Sequence, residues 1–134
     1  MLKGVNWIAV IAALVLLEVA GFLYYAVILK DAWIAALGTP PEPKSVGFAQ
    51  GLGMGDTLII VLGLAWLQRR LGARSLGAML GVALAAWLFF DFTTMAIDYL
   101  FVGQRGALVA INMGYQLLAY ALAGLTLGAL PPRA

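Results

Sequence analysis

The chain has 134 residues, of which 64% are hydrophobic and 10% are charged, whereas an ordinary soluble domain carries roughly 25% charged residues. This composition excludes a soluble globular protein, and a net charge of +2 without basic clusters argues against nucleic-acid binding. Because the sequence contains no His and no Cys, disulfides, thiolate chemistry and imidazole ligation of a metal or haem are excluded.

Four stretches without Lys or Arg are long enough to cross a bilayer, which takes roughly 20 apolar residues. They are residues 5–29, 46–67, 76–100 and 107–130. We expect helices there, because in lipid each backbone polar group must be paired within its own segment. The first stretch is too long for a secretory signal. Short connections favour antiparallel neighbours, so the predicted fold is an all-α integral membrane protein, one domain with four transmembrane helices in an up-down bundle.

The distribution of basic residues predicts how the bundle is oriented. One side holds Lys3, Arg69, Arg70, Arg74 and Arg133, and the other holds Lys30, Lys44 and Arg105. Because cytoplasmic segments of membrane proteins carry an excess of Lys and Arg, we expect both termini in the cytoplasm. The connection across residues 30–45, which contains Pro40, Pro41 and Pro43, would then lie on the opposite side.

Small residues at four-residue spacing predict close helix contacts, because helix association in lipid depends on packing. Such rows occur in three spans: Gly47, Gly51 and Gly55 in the second, Gly77, Gly81 and Ala85 in the third, and Gly124 and Gly128 in the fourth. We expect the row of the second span to form a close contact, either within the bundle or between protomers.

Four of the six acidic residues lie inside predicted spans that contain no basic residue: Glu18, Asp56, Asp91 and Asp98. At a rise of about 1.5 Å per residue, the first three lie within about 4.5 Å of the middle of their spans, whereas Asp98 lies near a span end, within reach of Arg105. An ionised carboxylate at the bilayer centre costs roughly 2.5 to 3.5 kcal/mol, so these side chains should face inward. They are then either protonated and hydrogen-bonded across helices, or ionised and paired with a cation or water.

Other polar residues share helical faces with these acids and predict a common cavity. Asp91 lies on one face with Trp87, Thr94 and Asp98, and the other three spans each carry a similar stripe. The candidate ligand- or proton-binding residues are Glu18, Tyr25, Asp56, Asp91, Thr94, Asn112, Tyr115 and Gln116. The sequence implies no cofactor, and no particular metal follows, because carboxylates spread over three helices lack a spacing that selects one ion.

Structural interpretations compete with this functional one. Intramembrane amide and hydroxyl side chains often serve only as interhelical hydrogen-bonding groups, which we favour for Asn112 and Gln116. Asp56 follows the glycine-rich run 51–55, and it would cap a shorter helix from Thr57 if the second span were broken there. For Trp33, near the end of the first span, anchoring at the membrane interface is the simplest explanation.

Three short motifs resemble a known family. They are Asn6-Trp7, the pair Tyr24-Tyr25 with the run Lys30-Asp-Ala-Trp33, and Ile111-Asn-Met-Gly-Tyr-Gln116. Together with the four-span layout, they resemble a bacterial membrane family catalogued as domain of unknown function 1761, from whose usual pattern this chain departs at residues 23–26 and at Gln116. The resemblance implies a four-span fold in the bacterial inner (cytoplasmic) membrane, without an established activity.

Two functions from different classes fit these observations. The first is a small transporter or binding protein whose inward carboxylates exchange protons for a cation or small molecule, as a homo-oligomer, because four short helices enclose little volume. The second is an accessory subunit that packs against a larger membrane complex through its glycine faces. An enzyme is less expected, because the only serine nucleophiles, Ser45 and Ser75, lie at span edges.

Overall fold

The computed structural model describes residues 3–38 and 45–130, and every regular element within them is helical. Helix α1 spans Trp7–Ile28, α2 Lys30–Leu37, α3 Val46–Arg70, α4 Leu76–Val102 and α5 Gly106–Ala129. Helices α1, α3, α4 and α5 are long and apolar enough to cross a membrane, which confirms the prediction of an all-α, four-span protein. Lys44, Arg133 and the three prolines of the first connection lie outside the described residues.

Two boundaries differ from the prediction. Residues 30–37 were expected in a connection but form helix α2, which ends at Gly38 with a φ of 69°. Glycine fits this position because a positive φ is costly for a residue with a Cβ atom. Helix α3 also continues beyond the apolar stretch, through Gln68 to Arg70. The predicted span ends at residue 67 because Gln68 is polar, yet the side chain of Gln68 is fully buried.

Helix α3 is continuous across its glycine-rich run. Its N-terminus is capped by Ser45, whose Oγ accepts a hydrogen bond of 3.3 Å from the Phe48 backbone N–H. Within the run, the Thr57 hydroxyl donates to the Gly53 carbonyl at 2.9 Å. The alternative in which Asp56 caps a shorter helix is therefore wrong. The continuity is expected in lipid, where no water replaces a broken backbone hydrogen bond.

Neighbouring spans run antiparallel. The Asn6 side chain donates to the Leu130 carbonyl at 3.0 Å, and the Tyr24 hydroxyl donates to the Ile111 carbonyl at 2.9 Å, so α1 and α5 run in opposite directions. Helices α1 and α5, α5 and α4, α4 and α3, and α3 and α1 are in contact. The four spans thus form a ring, which confirms the up-down bundle.

The bundle is tightly packed in one half only. The buried core comes from Val5, the first part of α1 and α4, and the last part of α3 and α5, and we call this region the packed half. Its buried residues are Val5, Ala9, Val10, Ala13, Leu17, Val61, Leu64, Ala65, Met79, Ala83, Ala86, Ala119, Ala123 and Leu127. Beyond this core, residues 46–56 of α3 are exposed along their whole length. We call the region beyond Leu17, Ala86 and Ala119 the open half.

The glycine rows differ in the same way. A Cβ atom added at Gly124 would lie 2.8 Å from the Ala83 Cβ atom, so this glycine allows α5 to approach α4 closely. The glycines in the rows of the second and third spans differ from Gly124, because an added Cβ atom there would meet no neighbouring residue of the described chain within 4 Å. These glycines are Gly47, Gly51, Gly55, Gly77 and Gly81. The prediction that the glycine row of the second span forms a close contact within the bundle is therefore wrong. A contact of this row between protomers stays a prediction.

Two spans change from α-helical to π-helical geometry in the open half. Helix α1 is π-helical over Leu23–Ile28, and α4 is π-helical over Trp87–Phe92 and again over Asp98–Val102. The hydrogen bonds of a π-helix connect residues five apart, so the faces of the helix no longer follow the 3.6-residue period. Such segments are frequent at functional sites, and these contain two candidates, Tyr25 and Asp91.

Candidate functional site

A cavity of about 410 Å³ lies between α1, α3 and α5, next to the packed half. We call it the inner cavity. Its polar lining consists of Glu18, Tyr25, Gln50, Asp56, Thr57, Tyr115 and Gln116, and core residues such as Leu17 and Ala119 form its floor. The structure therefore brings Glu18 of α1 and Asp56 of α3 to one space, and no Lys or Arg of the described chain lines it.

A wider space of about 850 Å³, the outer cleft, adjoins the inner cavity. Asp91 of α4, Asn112 of α5 and Trp33 of α2 contribute to its lining. The two spaces are contiguous, because both are lined by Tyr25, Gln50 and Gln116. Gln50 and Trp33 are not among the predicted site residues, and Trp33 reaches the cleft from helix α2, which lies where the sequence predicts a connection.

The three central carboxylates occupy different surroundings. Glu18 and Asp91 are half-buried, whereas Asp56 is exposed at the open side of the inner cavity. Glu18 lines the inner cavity together with Asp56 and Tyr115, whereas Asp91 lines the outer cleft. Within the described ranges, no three acidic side chains converge on a point where they could hold a metal ion. The carboxylates therefore line two adjoining spaces without forming a three-acid cluster.

One carboxylate oxygen of Asp91 is shielded from solvent. Asp91 Oδ2 is buried, as is Trp87 Nε1 one turn earlier, and neither atom has a hydrogen-bond partner among residues 3–38 and 45–130. Both residues belong to the π-helical segment Trp87–Phe92. A buried polar atom without a partner is costly, and an unseen water or bound ion is one explanation for it.

Tyrosine hydroxyl groups tie α1 to α5 beside the inner cavity. The Tyr25 hydroxyl donates to Asn112 Oδ1 at 3.0 Å, and the Tyr115 hydroxyl donates to the Leu17 carbonyl at 3.0 Å. Two glycines make room for such contacts, because a Cβ atom at Gly21 would lie 2.8 Å from the Tyr115 hydroxyl and one at Gly114 would lie 2.7 Å from that of Tyr24. The hydrogen bonds fix the positions of the rings at the site.

The rings themselves form an aromatic cluster of four residues, Tyr24, Tyr25, Trp33 and Tyr115. Tyr25 lies at its centre, with ring centroids 5.1 Å from Tyr24, 5.1 Å from Tyr115 and 5.4 Å from Trp33. Edge-to-face and tilted arrangements at these distances are favourable for aromatic pairs. The cluster therefore stabilises the junction of α1, α2 and α5.

Thr94 is the candidate that the structure places elsewhere. Its side chain is exposed, its hydroxyl donates to the Phe90 carbonyl at 2.6 Å, and it lines neither the inner cavity nor the outer cleft. The predicted face of Asp91 and Thr94 assumes α-helical spacing, which the π-helical segment before Thr93 disrupts.

Asn112 combines two roles, because it accepts the hydrogen bond from Tyr25 and also lines the outer cleft.

The fold and the site define a multi-pass membrane protein with an acidic and aromatic cleft in one half of a four-helix bundle. The chain belongs to the family DUF1761, described as a protein of unknown function, whose model matches residues 8–128. The resemblance seen in the sequence motifs is thereby confirmed. No curated protein and no solved structure matches the chain.

Proposed function

We propose that this protein binds a cation or small molecule within the bilayer and exchanges it for protons at Glu18, Asp56 and Asp91. The observation that carries this proposal is the position of the three carboxylates around the contiguous inner cavity and outer cleft. An ionised carboxylate in a membrane needs a partner, which is either a proton or a cation. Because the two compete for one group, binding of the cation should release protons.

The charges at the packed half support an orientation with both termini in the cytoplasm, in the bacterial inner membrane that the family resemblance implies. Arg69 donates a hydrogen bond to the Lys3 carbonyl, and the Arg70 guanidinium lies 5.8 Å from the centre of the Trp66 ring. Basic side chains and a tryptophan thus gather at this end, as is typical of a cytoplasmic membrane interface. In this orientation the open half would face away from the cytoplasm.

Proton release on addition of a cation tests the proposal. The purified protein is placed in weak buffer with a pH-sensitive dye, and Na⁺, Mg²⁺ and tetraphenylphosphonium are added in separate titrations. We expect saturable proton release with at least one cation, and its loss in Glu18→Gln or Asp91→Asn. Asp31→Asn is the matched control, because Asp31 is an exposed carboxylate of α2 that lines neither space. Unchanged release in the cavity variants would overturn the proposal.

An accessory or structural role is the second candidate, and the exposed face of α3 favours it. No neighbouring residue of the described chain lies within 4 Å of a Cβ atom added at Gly47, Gly51 or Gly55, and Gln50 and Asp56 are exposed on the same helix. Polar groups at membrane depth are normally covered by protein or water. A second copy would cover this face in a homo-oligomer, and a different membrane protein would cover it in a larger complex.

Native mass spectrometry of the protein extracted in mild detergent separates these arrangements. Gly51→Leu should dissociate a homo-oligomer that uses the α3 face, whereas Gly81→Leu, at an equally open glycine of α4, should leave it intact. A stable, solitary homo-oligomer would argue against the accessory role. Purification within a larger complex, with proton release unaffected by neutralising the carboxylates, would favour it.

A further inference from the structure

We infer that the ligand of the inner cavity is an organic cation with apolar substituents, such as a quaternary ammonium or phosphonium ion. This inference rests on the proposed function and specifies its substrate class. Three properties of the cavity carry it: the sign of its charge, the small number of its carboxylates and the aromatic rings in its wall.

The charge of the lining favours a cation over an anion. Glu18 and Asp56 contribute carboxylates, and the remaining polar groups of the lining are uncharged amides and hydroxyls. No Lys or Arg of the described chain lines the cavity. Arg69 lies at the end of the packed half, and Arg105 lies beside the Ala35 carbonyl of α2. An anion would therefore meet only repulsion from charged side chains in this cavity.

The small number of carboxylates in the inner cavity disfavours a bare metal ion. Mg²⁺ and Ca²⁺ require six or more oxygen ligands in a defined shell, and no group of three acidic side chains converges within residues 3–38 and 45–130. Asp91 lines the outer cleft rather than the inner cavity. A quaternary ion needs no coordination shell, so a single carboxylate such as Glu18 suffices as its counter-charge.

Aromatic rings stand beside that carboxylate. Tyr25 and Tyr115 line the inner cavity together with Glu18, and their hydroxyl groups are held by Asn112 and the Leu17 carbonyl. The faces of aromatic rings attract cations, and aromatic cages are a recurring means of binding quaternary ammonium groups. The walls also include apolar side chains, among them Phe22 and Ile60, which suit apolar substituents better than a hydrated ion.

The volume of the cavity fits such a ligand. At about 410 Å³ it falls within the range of roughly 300 to 1,000 Å³ that is usual for small-molecule sites. The required chemistry is a positive charge carried by a centre with apolar substituents. A soluble organic cation and a choline lipid headgroup both offer it.

Two hydrophobic ions of the same shape and opposite charge test the inference. Calorimetric titration of the full-length protein in non-ionic detergent compares tetraphenylphosphonium with tetraphenylborate. We expect saturable binding of tetraphenylphosphonium only, weakened roughly tenfold by Glu18→Gln. Tyr25→Phe should retain the affinity because the ring remains, and Tyr25→Leu should lower it roughly fivefold. Tyr99→Leu, at an exposed tyrosine outside both spaces, is the control.

The possible outcomes separate this inference from the proposed function. Equal uptake of both ions would indicate partition into detergent and overturn the inference. Proton release by Na⁺ or Mg²⁺ without binding of tetraphenylphosphonium would overturn it and leave the proposed function standing. Saturable tetraphenylphosphonium binding without proton release would support the inference and overturn the proton exchange. Competition by a soluble phosphocholine lipid would support a lipid headgroup as the source of the cation, and its absence would support a soluble cation.

Discussion

The hydroxyl group of Tyr25 donates a hydrogen bond of 3.0 Å to Oδ1 of Asn112, which joins the π-helical end of α1 to the first half of α5. Both residues also line the outer cleft. One contact therefore connects the packing of two spans to the wall of the candidate site. Loss of this hydrogen bond should lower the stability of the bundle, whereas loss of the Tyr25 ring should also weaken ligand binding.

A double-mutant cycle measures this contact. We expect Tyr25→Phe and Asn112→Ala each to lower the free energy of unfolding by less than about 2 kcal/mol, with a coupling energy of about 0.6 kcal/mol, because hydrogen bonds between membrane helices are modest in strength. Equilibrium unfolding in mixed micelles gives these values. Tyr99→Phe combined with Asn112→Ala is the control cycle, because Tyr99 is exposed. A coupling no larger than that of the control would contradict the prediction.

Gly124 sets the distance between α4 and α5. A Cβ atom there would lie 2.8 Å from the Ala83 Cβ atom and 3.2 Å from the Leu80 Cα atom, so Gly124→Ala requires the helices to separate. We expect a loss of about 1 to 3 kcal/mol in the free energy of unfolding, as is usual for overpacking. Gly81→Ala, where an added Cβ atom finds open space, should be neutral or slightly stabilising. Equal effects of the two changes in thermal unfolding would refute the close approach.

We expect the contribution of the buried residue Gln68 to stability to depend mainly on the volume of its side chain. It is 0% exposed, its Nε2 donates to the Met79 carbonyl at 2.9 Å, and its Oε1 has no hydrogen-bond partner within the described chain. Gln68→Met keeps the shape and removes the unpaired acceptor, so we expect a change within about 1 kcal/mol.

The truncation Gln68→Ala provides the comparison. It leaves a cavity in the packed half and should lower the free energy of unfolding by about 2 kcal/mol or more. Chemical unfolding of both variants in the same micelles gives the two values. If Gln68→Met were as costly as Gln68→Ala, the hydrogen bond to Met79 would be the main contribution instead.

The sequence was sufficient to predict the spans and their antiparallel order, because both follow from apolar length and short connections. It also identified Glu18, Asp56 and Asp91 as acids within the spans, which the structure places around two contiguous spaces. These features depend on composition along the chain. They do not depend on how each helix is rotated about its own axis.

Features that depend on helix rotation and backbone geometry could not be predicted. The glycine rows look alike in sequence, yet an added Cβ atom clashes at Gly124 and meets open space at Gly51, because only one of these faces is turned toward a neighbouring helix. No residue pattern in the sequence indicates where a helix becomes π-helical. The α-helical spacing therefore predicts a wrong position for Thr94 relative to Asp91. The predicted second span ends before Gln68, because the polarity of this residue conceals its burial.

Thiol labelling tests whether the inner cavity is hydrated and acidic, and the chain suits this method because it contains no Cys. Gly53 lines the cavity, and a side chain added there meets no neighbouring atom within 4 Å in the described structure. In proteoliposomes, Gly53→Cys should react with charged methanethiosulfonate reagents, because these reagents require water. The cationic reagent should be favoured over the anionic one roughly tenfold relative to a free thiol, equivalent to about 1.4 kcal/mol.

Two control positions and one second-site change complete this test. Ile59 on the same helix is 70% exposed but lines neither space, so Ile59→Cys should face lipid and stay unreactive. Ala13 is 0% exposed, so Ala13→Cys should be unreactive because it is buried. Adding Glu18→Gln to Gly53→Cys should reduce the preference for the cationic reagent, because one negative charge of the lining is removed. Equal labelling at residues 53 and 59, or a reagent preference that Glu18→Gln leaves unchanged, would exclude a hydrated acidic cavity at Glu18.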